Sequence, residues 1–156
     1  MKRQRRTPGS IVKIDLKNGY YNYAQLLENG IAFFDIYTKV PELEDLSILF
    51  EKPVLFIVSV YRDVISTGLW LKVGKLPIRE DLKILPMQCI QDALNETQFE
   101  LYNPNTGEVT KATREECEGL EICAVWEAHA VEERIIDHYN GCLLYTSPSP
   151  RDRQKS

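Results

Sequence analysis

The clearest periodicity in the chain lies between residues 10 and 37, SIVKIDLKNGYYNYAQLLENGIAFFDIY. Val12, Ile14 and Leu16 alternate with Lys13 and Asp15, the two-residue period of a strand with one buried face. Asn18-Gly19 then suits a type I′ turn with positive φ at both residues. Residues 20–27, rich in tyrosine, read as the return strand. Glu28-Asn29-Gly30 reads as a second turn and residues 31–37 as a third strand. Such a meander commonly opens a small β-barrel or a strongly curved sheet.

The pattern changes character further on. Residues 41–46 predict a short helix, with proline in its first turn and acids at its positive end, and Leu43, Leu46 and Phe50 on one face. Residues 54–61, VLFIVSVY, are apolar on both faces, as a doubly covered central strand requires. Residues 62–68 predict a polar or helical turn, residues 69–76 another strand, and Ile78, Leu82 and Leu85 one or two amphipathic turns. Residues 87–90 read as a short edge strand. Residues 99–102 and 108–111 flank Asn103-Pro104-Asn105-Thr106-Gly107 as a hairpin. Thr113 with Glu116 forms a capping box for a one-turn helix stopping at Gly119. Residues 122–126 predict a last strand, with Cys123 packed inside it. Residues 129–139 predict the longest helix, striped by Val131, Ile135 and Tyr139. The fold class expected is α+β, mainly β: a small antiparallel barrel or strongly curved sheet opened by a three-strand meander, with short helices and a C-terminal helix.

Length and composition narrow the class. A chain of 156 residues, 44% hydrophobic and 27% charged, is one globular domain. No apolar run is long enough to span a bilayer, and the basic start is followed by no apolar signal segment, which predicts a cytoplasmic protein. Cys89, Cys117, Cys123 and Cys142 show neither metal-ligand spacing nor CxxC pairing, so reduced thiols are expected. The expected organisation is a basic arm at residues 1–8, a single domain at 9–141 and a tail at 142–156. That tail begins CLLYTSPSPRD, which resembles one translated frame of a sequencing-library adapter, and it is set outside the fold as non-native. Without it, 16 basic residues face 22 acidic ones, a net of −6.

The order of the motifs resembles a known family. A basic-Thr-Pro-Gly-Ser opening, IVKIDLKNGYYNYAQLL, AFFD, PVLFIVSVY, WLKVGKLP and ATREECEGLEICAVWEAHAVEERIIDHYNG together resemble the immunity protein 26 family of bacterial polymorphic toxin systems, over about residues 5–141. The resemblance implies a non-catalytic protein that protects its producer by stoichiometric binding of a toxin. It brings no set of contact residues with it.

The candidate chemistries each have a plainer competitor. His129 and His138 stand nine positions apart on the last helix and do not make one metal face. Cys123 as a nucleophile competes with inert packing, and Glu132, Glu133 and Asp137 as acid–base groups compete with a solvated helix face. No catalytic, metal or cofactor residue is therefore assigned. Lys2-Arg3-Gln4-Arg5-Arg6 is a phosphate-binding candidate. Residues 7–141, however, carry 12 basic and 22 acidic residues, a net of −10, which repels a polyanion. Nucleic-acid binding is therefore an alternative, as is a regulatory ligand-binding barrel using Tyr20, Tyr21, Tyr23 and Trp70. The partner-binding surface expected comprises Glu115, Glu116, Glu118, Glu121, Glu132, Glu133 and Asp137, with Trp126 as aromatic anchor, facing a toxin that is basic at its working face.

Overall fold

In the computed structural model, residues 3–92, 94–95 and 97–141 are described. The expected adapter-like tail lies outside them. The opening meander is present as β1 (Ser10–Asp15), β2 (Tyr21–Leu26) and β3 (Ile31–Phe34), paired antiparallel in sequence order. Three further strands extend it: β4 (Val54–Val60) beside β3, β5 (Leu71–Lys75) beside β1, and β9 (Val125–Trp126) parallel to β4. The order β5-β1-β2-β3-β4-β9 leaves the sheet open, without barrel closure among the described residues. A second antiparallel sheet holds β6 (Gln88–Gln91), β7 (Phe99–Tyr102) and β8 (Val109–Ala112). The helices are α1 (Arg62–Ser66), α2 (Arg114–Cys117) and α3 (Ala128–Tyr139). None is long and apolar enough to cross a membrane.

The sheet buries both faces. On one, Val12, Ile14, Ala24, Leu26, Phe33 and Trp70 pack with Val131 and Ile135 of α3 and Val64 and Ile65 of α1. On the other, Ile11, Tyr23 and Phe34 pack with Leu49 from the long connection between β3 and β4. A third cluster joins Leu27, Ala32, Leu82 and Leu85. Two buried amides bind the scaffold internally. Asn22 donates to the carbonyls of Phe34 and Ile36 at 2.9 and 2.8 Å, and Gln25 donates to that of Leu76 at 2.8 Å.

Local details depart from the sequence expectations. The first turn is not type I′: positive φ falls on Lys17 (62°) and Gly19 (91°), and not on Asn18. Leu16 N–H still bonds the Tyr20 carbonyl, so the loop is three residues long. Its Asx bonds, Lys17 N–H to Asp15 and Tyr20 N–H to Asn18, draw the bend one residue earlier. The helix expected at 41–46 begins only at Leu46 and runs to Glu51 as 3-10, because Asp45 captures the Ser47 N–H as its cap. Leu49 consequently points inward and Phe50 is exposed. β4 is mostly half-buried, since its outer neighbour β9 is only two residues long.

Residues 121–126 join the two sheets. Cys123 N–H bonds the Cys89 carbonyl and Cys89 N–H bonds the Glu121 carbonyl, at 2.8 and 2.9 Å, before the chain enters β9. Cys123 is therefore outside a strand and exposed, contrary to the packed position expected.

Candidate functional site

The acids singled out in the sequence lie on α2, on the segment that follows it, and on α3. Thr113 caps α2 as expected: its hydroxyl accepts from Glu116 N–H at 3.1 Å and the Glu116 carboxylate accepts from Thr113 N–H at 2.8 Å. Glu115 and Glu118 are exposed beside that box. The end of this segment is tied to α3 by Arg134, whose guanidinium donates to both carboxylate oxygens of Glu121 at 3.0 and 3.1 Å. On α3, Glu133 is exposed and Asp137 half-buried, four residues apart and so on one face.

The other two expected contact residues are turned inward. Glu132 is 6% exposed; it accepts from the Trp70 indole N–H at 3.0 Å and pairs with Lys17 at 2.8 Å. Trp126 is 7% exposed, with the Arg134 guanidinium 5.2 Å from its ring centre and 3.9 Å from that of Phe56. Neither presents itself to a partner as the sequence suggested. Both lie next to exposed positions, and helical periodicity alone could not separate Glu132 from Glu133 without the sheet beneath them.

An open cleft of about 570 Å³ has no counterpart in the sequence expectations. It forms where β4 and β9 end side by side and α1 and α3 begin, lined by Lys17, Tyr61, Arg62, Asp63, Leu69 and His129 among others. Tyr61 and Leu69 are 52% and 54% exposed. The signal available in sequence was Tyr61 following a strand without a polar interval. His129 sits in an exposed pair with Glu127 at 3.7 Å. The Cys123 thiol is pushed up by desolvation, opposite to the shift that activates a nucleophile. Among the described residues no group of three or more His, Cys, Asp or Glu is placed to hold a metal ion.

The basic arm is partly docked. Arg6 donates to the carbonyls of Leu27 and Gly30 at 2.7 and 2.8 Å, and burial lowers its pKa. Gln4 bonds into the end of α1 and the start of β5.

Comparison with characterised proteins and with solved structures gives no match. The family model of immunity protein 26 matches residues 7–100, from the first turn of the meander's approach through the start of β7. That stretch holds β1 to β6 and both sheet faces, whereas α2, β9 and α3 lie beyond it and complete the core. By this match the chain belongs to the immunity protein 26 family.

Proposed function

We propose that the protein is a bacterial cytoplasmic immunity protein that neutralises a cognate toxin by stoichiometric binding, without catalysis. The observation that carries this reading is the family match over residues 7–100. The contact surface proposed is the exposed acids Glu115, Glu116, Glu118 and Glu133 with the half-buried Asp137. Glu121, in the segment after α2, is bound by Arg134 of α3 at its margin; Trp126 lies under Arg134, and Glu132 fastens α3 to the Trp70 indole. All of the proposed contact residues follow the matched stretch, so the family match does not itself bear on them. The physical support is charge. Acidic clusters steer a basic partner to encounter and raise association rates most at low salt. Docking of Arg6 on backbone carbonyls leaves the N-terminal arm fewer free charges for a phosphate backbone, which favours a protein partner over nucleic acid.

Two measurements test this. Co-expression with the toxin encoded beside this gene should restore growth, and loss of protection with a folded protein would overturn the immunity reading. The surface is tested separately with Glu115→Lys/Glu118→Lys/Glu133→Lys/Asp137→Lys. Its on-rate should fall by about tenfold or more at low salt and converge with wild type as ionic strength rises. Equal on-rates at low salt would place the contact elsewhere while leaving immunity standing.

A further inference from the structure

β5 is an edge strand of the six-stranded sheet, and its outer edge is occupied by a side chain. The Gln4 amide donates through Nε2 to the Trp70 carbonyl at 3.0 Å and accepts through Oε1 from the Lys72 N–H at 3.0 Å. A donor and an acceptor so placed fill the ladder positions on either side of Leu71, as one residue of an added strand would. The contact is anchored around it. Gln4 Nε2 also donates to the Ile65 carbonyl at 2.8 Å, Gln4 N–H to that of Ser66 at 2.9 Å, and Lys72 Nζ to that of Arg5 at 3.0 Å. Beside this contact, Leu71 and Val73 are 49% and 38% exposed.

The two backbone groups held by Gln4 are the pair that a two-fold antiparallel contact centred on Leu71 would exchange. The Trp70 carbonyl of each copy would accept from Lys72 N–H of the other. Leu71 would face Leu71 across the axis as a non-hydrogen-bonded pair, where opposed side chains approach most closely. This register sets Lys72 opposite Trp70 and not opposite Lys72, so like charges do not meet. It also stops short of the register shift that β5 makes against β1, where Lys72 and Gly74 pair with adjacent residues of β1.

We propose that residues 3–6 are a cis cover over a self-pairing edge: Gln4 takes the place of a second copy of the chain and holds the protein monomeric. Edge strands left bare invite such pairing, and natural sheets block them.

Sedimentation of the full chain across a concentration series tests this with wild type, Gln4→Ala and Gln4→Ala/Leu71→Lys. Gln4→Ala is expected to dimerise with a dissociation constant at least about tenfold below that of wild type, and the added Leu71→Lys to reverse it. In dilute Gln4→Ala the Lys72 amide should exchange faster than in wild type, and slow again as dimer forms. Gln4→Glu, which keeps the acceptor and loses the donor, should fall between. Equal association of wild type and Gln4→Ala, unchanged Lys72 exchange, or a dimer indifferent to Leu71→Lys would each overturn the proposal.

Discussion

The indole N–H of Trp70 donates to the carboxylate of Glu132 at 3.0 Å, joining the start of β5 to the middle of α3 inside the core. Trp70 is fully buried and Glu132 nearly so, so each satisfies a group the other would leave stranded. Lys17 completes the arrangement from the first turn, but its side chain is 63% exposed and its half of the pair adds only about 0–1 kcal/mol. Glu132→Ala should therefore destabilise by about 2–3 kcal/mol, chiefly by orphaning the indole N–H. Glu132→Gln, which keeps an acceptor, should lose less. Denaturant unfolding measures both; a loss below about 0.5 kcal/mol for Glu132→Ala would mean the indole finds another acceptor.

Arg134 works as a clamp between elements far apart in sequence. Its guanidinium lies 3.9 Å from the Phe56 ring centre, 5.2 Å from that of Trp126, and bidentate on Glu121. Lysine matches neither the planar stacking nor the fork. Arg134→Lys should thus recover little of the loss in Arg134→Ala, itself about 2–4 kcal/mol, and both should speed amide exchange in β9. Near-complete rescue by lysine, read by the same unfolding curves, would show that charge alone suffices there.

The three-residue first turn makes a backbone prediction. Gly19 holds φ 91° with nothing within 4 Å of a Cβ built on it, so a substitution meets conformational strain and no clash. Gly19→Ala should cost about 1–2 kcal/mol in thermal or denaturant unfolding, and Gly19→Asn less. An unchanged midpoint for alanine would mean the loop relaxes freely to negative φ.

What sequence could reveal divides along range of interaction. The meander, the 99–112 hairpin, the Thr113–Glu116 box and α3 were legible because alternation, turn residues and caps are encoded within a few positions. Positions decided by distant partners were not. Glu132 and Glu133 are adjacent and chemically alike, yet Trp70, 62 positions earlier, draws one inward. Trp126 reads as a free aromatic until Arg134 and Phe56 close over it. The first turn departs from its Asn-Gly signal because Asp15 and Asn18 override it by bonding backbone N–H groups within the loop. The cleft near Tyr61 arises from β4 and β9 ending together, a parallel pairing that no local pattern announces.

The C-terminal end of α3 should make the protein sensitive to alkali. Tyr20, Tyr37 and Tyr139 stack in series, with ring centres 4.0 and 4.4 Å apart and planes within 8°. The Tyr139 hydroxyl donates to Asp35, which follows β3. Desolvation first, then the bond to Asp35 and its charge, hold the Tyr139 phenol far above its ordinary value of about 10. In the unfolded chain the phenol ionises near that ordinary value. Above about pH 10 the unfolded state thus binds fewer protons than the folded one, and stability falls as pH rises; below it the contribution is fully present. Tyr139→Phe keeps the stack and removes the titration. Its stability should be lower than that of wild type at pH 7, and the gap should narrow progressively above pH 10. Tyr23, also raised by burial, gives both proteins a shared alkaline decline, so the difference between them is the quantity to follow. Unfolding curves that stay parallel from pH 7 to pH 11 would show that Tyr139 titrates alike folded and unfolded, and that its bond to Asp35 does not hold the proton.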